Sequence, residues 1–160
     1  PVGNGTLLLG AFIGFNELFN AGIIRQIPKI IGVQSARCAP LYKAFKENLK
    51  AIPKIDKQDT LAEGIAIAAP VRGKQIVEAV KKSKGEFIIV DDLEIKKSLR
   101  HLCKKGFYVE PTSAATTAGL GKYLEISNPD EIIVSAFTGH GLKTTEKMLK
   151  ILKESFSEVN

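Results

Sequence analysis

The chain has 160 residues, 44% hydrophobic and 25% charged, with a formal net charge of +6 from 23 Lys and Arg against 17 Asp and Glu. This composition excludes a disordered chain, and the length suffices for one compact domain with a real core. Lysines alternate with glutamates, as in Lys81-Lys82-Ser83-Lys84-Gly85-Glu86, and no basic run carries interleaved aromatics, so the positive balance reads as solvated surface rather than a nucleic-acid interface. It is also compatible with a modest attraction for phosphorylated small molecules.

The chain opens on Pro1-Val2-Gly3-Asn4-Gly5-Thr6, followed by the apolar run Leu7 to Phe15. Two glycines around an asparagine allow positive φ, and a helix starting at Thr6 aims its unpaired N–H groups back at that turn. Such a cup suits a phosphate; the same pattern also fits an ordinary tight turn before a buried helix. The apolar run is far shorter than the ~20 residues of a membrane span and has no basic segment before it. The helix is expected from Thr6 to Ala21, buried on most of its surface, with Gly22 as its C-terminal glycine. A beginning in mid strand-turn-helix leads us to expect a portion of something longer.

Lys29 to Gln34 reads as an interior parallel strand, and a helix is expected from Pro40 through Leu49. Ala51 to Gln58 reads as a surface excursion. Thr60 to Ile67 is ambiguous between a strand and an apolar loop, and Gln75 to Lys82 has helical spacing. Glu86 to Val90 is a clear strand. Asp91 and Glu94 form a capping box for a helix with Leu93, Leu99, Leu102 and Cys103 on its apolar side, stopped at Gly106. Phe107 to Val109 reads as a further strand, Pro111 as the first turn of a small-residue helix, and Glu131 to Phe137 as the last strand. An amphipathic helix from Thr144, with Met148, Leu152, Phe156 and Val159 at three- or four-residue spacing, closes the chain.

This alternation predicts an α/β fold: a three-layer sandwich, with a mostly parallel sheet of about four strands flanked by helices, spanning residues 1–160 as one domain. Ligands in such sheets bind beyond the carboxyl ends of the strands. Three turns fall there: Gly3 to Thr6, Glu110 to Ser113, and Thr138-Gly139-His140-Gly141-Leu142-Lys143. On residue types, His140 reads as a hydrogen-bonded packing residue, and no G-x-S-x-G elbow or metal-ligand spacing occurs. Cys38 and Cys103 carry neither zinc nor disulfide spacing, which fits a reducing cytoplasm.

In this order, the glycine loop, Ile31-Gly32-Val33-Gln34, Ala62-Glu63-Gly64-Ile65-Ala66, Val109 to Ala115 and the Thr138 to Lys143 turn resemble the threonine synthase family, within the fold-type II pyridoxal-phosphate enzymes. The resemblance covers essentially all of this chain and the C-terminal part of the family's. It implies that Gly3, Asn4, Gly5 and Thr6 hold the cofactor phosphate, that Glu63, Gly64 and Ile65 lie beside its ring, and that Thr138 hydrogen-bonds the pyridine nitrogen. A neutral hydroxyl there, unlike an Asp, would not hold that nitrogen protonated. The implied reaction converts O-phosphohomoserine and water to threonine and phosphate, with the Schiff-base lysine expected upstream, so that no catalytic residue falls in this chain. The phosphate loop departs from many relatives in having Thr6 where they place a further glycine and asparagine. The implied partners are a phosphorylated amino-acid substrate and either the missing N-terminal half or a second copy, with no nucleic acid and no membrane. Two other readings stay open: a serine or threonine dehydratase portion, and a non-catalytic phosphate-ligand module.

Overall fold

The computed structural model describes residues 1–156. In chain order the elements are α1 (Thr6–Asn20), β1 (Ile31–Ser35), α2 (Pro40–Lys46), a short turn of 3-10 helix (Glu63–Ile65), α3 (Gly73–Lys82), β2 (Glu86–Val90), α4 (Asp92–Lys104), α5 (Pro111–Leu124), a second 3-10 turn (Gly141–Thr144) and α6 (Thr145–Phe156). β1 and β2 pair in parallel, from Ile31 with Glu86 to Ser35 with Val90. Pro1-Val2 runs alongside: the Val2 amide donates to the Val33 carbonyl at 2.9 Å, and the Gln34 amide side chain donates to the Val2 carbonyl.

Side chains alternate across the two strands, and each face meets its own core. Val33, Ile88 and Val90 join Ile95 and Leu99 of α4, Ala114 and Ala115 of α5, and Met148 and Ile151 of α6. Phe87, on the other face, joins Leu41 and Ala44 of α2, Leu8 and Leu9 of α1, and Ile76, Val77 and Val80 of α3. The result is helices on both sides of a parallel sheet, as the alternating pattern predicts. The Asp91–Glu94 capping box forms as expected: the Glu94 amide donates to Asp91 Oδ1 and the Asp91 amide to Glu94 Oε2, both at 2.8 Å. Asp91→Ala should lower stability by about 1 kcal/mol in urea unfolding, and Asp91→Asn by much less.

Five expectations change. The sheet has two strands among the described residues, not about four. Phe107 to Val109 contributes only an isolated antiparallel bridge between Val109 and His140. Glu131 to Phe137 forms no strand: Glu131 pairs with Lys29 and accepts from the Tyr123 hydroxyl, the Phe137 ring packs on Phe107, and Ile132 and Val134 are 93% and 90% exposed. β-branched residues favour a pleated, half-buried surface, and here no neighbouring strand supplies one. α1 is not buried on most of its surface: Leu8 and Leu9 are buried, whereas Leu7, Ile13, Leu18 and Phe19 are exposed. A run that is apolar all round does not choose a face, and only the face over α3 finds a partner. On α4, Leu93 is exposed and Ile95 takes the buried position. Met148 is buried as expected, and Val159 lies outside the described residues.

Candidate functional site

The glycine loop keeps the shape its residues require. Gly5 is the residue before α1, with φ of +75°, and a Cβ there would stand 2.3 Å from Cδ1 of the fully buried Ile76. No side chain caps α1, and its first turn holds no acidic residue. The N–H groups of that turn, with the positive end of a 15-residue helix behind them, therefore face outward beside exposed Asn4 and Thr6. That donor set fits a phosphate.

The other expected stretches line up beside this loop. Gly3 lies against the backbone of the Glu63–Ile65 turn: a Cβ on Gly3 would stand 3.1 Å from the Gly64 carbonyl oxygen and 3.3 Å from Ile65 Cα. Gly64 in turn lies against Thr112 in the first turn of α5, where a Cβ would meet Thr112 Oγ1 at 2.9 Å. The next residue, fully buried Ser113, accepts a hydrogen bond from the Gly139 amide at 3.0 Å and stands 3.4 Å from Thr138 Oγ1. Glycine loop, 3-10 turn, α5 start and the 138–143 turn thus form one continuous wall. Its backing residues Gly3, Gly5, Ile65 and Ser113 are buried, while Asn4, Thr6, Glu63, Gly64 and Thr138 are exposed along it. Ser35, the last residue of β1, bonds Thr60 just before the 3-10 turn, so the wall stands at the carboxyl end of β1.

Charged groups brace the wall from behind. The Glu110 amide donates to the Gly139 carbonyl at 3.0 Å, and Lys143 pairs with the Glu110 carboxylate at 3.3 Å. Lys147 of α6 pairs with Glu63 and donates to the Leu61 carbonyl at 3.3 Å. His140 Nδ1 accepts from the Leu142 amide at 3.2 Å, which places the proton of the neutral ring on Nε2, and the ring packs edge-on against Tyr108. It is the hydrogen-bonded packing residue expected from its neighbours. Desolvation pushes the Cys38 thiol above its ordinary value, opposed in part by Lys57, and raises that of Cys103, so neither is an activated nucleophile. Among the described residues no group of three or more His, Cys, Asp or Glu is placed to hold a metal, and no helix is long and apolar enough to cross a membrane.

Every expected site residue therefore falls on or beside the wall. Sequence reasoning missed Ser113, Lys147 and Thr60. Ser113 was within reach, since it follows Pro111 in one of the ordered motifs. Lys147 carried no signal, because a lysine on an amphipathic helix has the ordinary look of solvated surface and its partner Glu63 is remote in sequence.

Residues 1–139 match the family described as pyridoxal-phosphate dependent enzyme. Threonine synthase from Methanocaldococcus jannaschii is 37% identical over 157 residues, covering 96% of this chain and 39% of that protein. The chain thus spans about two-fifths of that relative's length. Among solved structures, Escherichia coli threonine synthase superimposes with a TM-score of 0.66 at 20% identity, over 79% of this chain and 29% of that one. Maize serine racemase gives 0.64 at 20% identity, over 98% and 46%. At these identities the structural matches speak for the fold alone.

Proposed function

We propose that this chain, which belongs to the pyridoxal-phosphate dependent enzyme family, is the cofactor-binding portion of a threonine synthase, a protein converting O-phosphohomoserine and water to threonine and phosphate. The observation that carries the reading is the continuous wall, with an anion cup at one end and a hydroxyl, Thr138, at the other. When bound, pyridoxal phosphate supplies an electron sink for carbon atoms next to the amino-acid nitrogen. This chain's residues bind and orient it. The loop Gly3-Asn4-Gly5-Thr6 and the first turn of α1 hold the phosphate, and the backbone of Glu63-Gly64-Ile65 lies along the ring. Thr138 would donate a hydrogen bond to the ring nitrogen and leave it unprotonated, because a neutral hydroxyl, unlike a carboxylate, supplies no negative charge to stabilise a pyridinium. Ser113 supports Thr138 from behind.

The proton transfers at the substrate's α and β carbons fall to a lysine outside these residues, so the 160-residue chain alone is expected to be inactive. Its partner is then the remaining part of the longer protein. The unpaired run 132–137 and the outer face of α1, where space beside Gly10 and Gly14 is open, are the surfaces that part would cover. Free thiols at Cys38 and Cys103, with no disulfide between them, suit a reducing compartment such as the cytoplasm. The test is to incubate the protein carrying this chain with pyridoxal phosphate and O-phosphohomoserine. Threonine and phosphate should appear in equal amounts; a keto acid without phosphate release would point to a dehydratase and overturn the reading.

A further inference from the structure

We propose that Thr60 is a positioning residue for the cofactor wall, fixing Glu63-Gly64-Ile65 through a directed chain of hydrogen bonds; this rests on the pyridoxal-phosphate reading of that wall. Residues 47–62 contain no helix or strand, so the backbone entering the 3-10 turn has no ladder to hold it. Side chains hold it instead. The Thr60 hydroxyl donates to Asp92 Oδ1 at 2.6 Å. A carboxylate only accepts, so Thr60 must donate, which leaves its oxygen lone pairs to receive. They receive the Ser35 hydroxyl at 2.9 Å and the Ala62 amide at 3.3 Å. Asp92 Oδ1 also accepts the Leu61 amide at 3.0 Å, while Oδ2 faces Arg37 Nε at 3.3 Å, and Arg37 Nη1 donates to the Asp59 carbonyl at 3.0 Å.

Three backbone groups just before Glu63 are thereby held: the Asp59 carbonyl by Arg37, just past β1, the Leu61 amide by Asp92 at the start of α4, and the Ala62 amide by Thr60 itself. The 3-10 turn starts from this anchored stretch: the Ile65 amide bonds the Ala62 carbonyl at 3.1 Å. Thr60 is the hub, buried, joining Ser35 at the end of β1 to Asp92 at the start of α4. Its hydroxyl therefore passes the position of the sheet on to Gly64, the residue that meets both Gly3 and Thr112. A hydrogen bond to a charged group in a partly buried network is strong enough for its loss to release the turn locally while both cores stay packed.

The test compares Thr60→Val, which keeps the shape and loses the hydroxyl, with Thr60→Ser, which keeps the hydroxyl, in the protein carrying this chain. Backbone amide exchange is followed alongside pyridoxal-phosphate affinity measured by cofactor fluorescence. Thr60→Val should speed exchange at Ala62 and Ile65 and weaken the cofactor by about tenfold each, with β1 and α3 amides unchanged, and Thr60→Ser should restore both to within about twofold. Uniformly faster exchange across the chain, unchanged exchange at 62–65, or cofactor affinity equal to wild type would overturn the proposal. Wild-type protein that binds no cofactor, with the exchange pattern as expected, would remove the pyridoxal-phosphate reading and keep Thr60 as the anchor of the turn. If Thr60→Val does not fold, Asp92→Ala takes its place: it removes the acceptor of both the Thr60 hydroxyl and the Leu61 amide, and the same local pattern is expected, with unchanged exchange again overturning the proposal.

Discussion

Gly5→Ala should unfold at markedly lower urea concentration than wild type and lose most of its affinity for pyridoxal phosphate. Two costs combine at this position. An L-residue at a φ of +75° costs about 1–2 kcal/mol. The new methyl would also stand 2.3 Å from Cδ1 of Ile76, which α3 holds fully buried in the cluster with α1 and α2, so relief requires repacking at about 1–3 kcal/mol. Any shift that accommodates the methyl turns the first N–H groups of α1 away from the cup, so affinity should fall at least tenfold, the equivalent of about 1.4 kcal/mol. Gly121→Ala in α5 is the matched control. Its Cβ meets nothing within 4 Å and its backbone is ordinary helix, so stability should rise by about 0.5–1 kcal/mol. An unchanged unfolding midpoint and affinity for Gly5→Ala would mean that the loop is not held in this shape.

Phe87→Ala should cost about 3–5 kcal/mol, enough to leave a domain of this size marginally folded. Phe87 is 1% exposed, packs edge-on to Phe45 with ring centroids 5.4 Å apart, and lies over Gly32 of the neighbouring strand, where a Cβ would reach its ring at 2.7 Å. Gly32 and Phe87 are paired in register, so a strand without a side chain makes room for a ring from its partner. Thermal unfolding followed by circular dichroism checks this; a loss under about 1 kcal/mol would mean that α2 collapses onto the strands and fills the gap. Phe87→Leu keeps much of the volume and should lose considerably less.

Local signals were legible wherever one residue decides the outcome. The Asp91–Glu94 box, Pro111 in the first turn of α5 and the turn around Gly5 all depend on the chemistry of a few neighbours, and each appears where the sequence puts it. β1 and β2 were legible as strands, but whether a strand-like segment finds a partner was not: Glu131 to Phe137 has the composition of a strand, but pairing is a property of two segments, and composition speaks for one. Helix burial failed on α1 for a related reason, since apolarity on every side gives no direction for the core. The wall was readable as a set of motifs, whereas its assembly was not. The contact of Gly64 with Thr112 and the ties from Thr60 to Ser35 and Asp92 join segments far apart in the chain, and no spacing announces them.

The parallel pairing of β1 with β2 carries a kinetic consequence. Ile31 meets Glu86 and Ser35 meets Val90 in parallel, so the ladder closes only after α2, the irregular stretch to Ala62 and α3 have been gathered between them. Closing so long a loop costs entropy before any strand hydrogen bond repays it. The helices, built from local contacts, should therefore form within the earliest phase of refolding, and the slow phase should be the arrival of β2 beside β1. Because the 3-10 turn beside Gly3 is anchored to Ser35 and Asp92, at the ends of those strands, competence to bind a phosphate-bearing ligand should emerge with the slow phase rather than with helix formation.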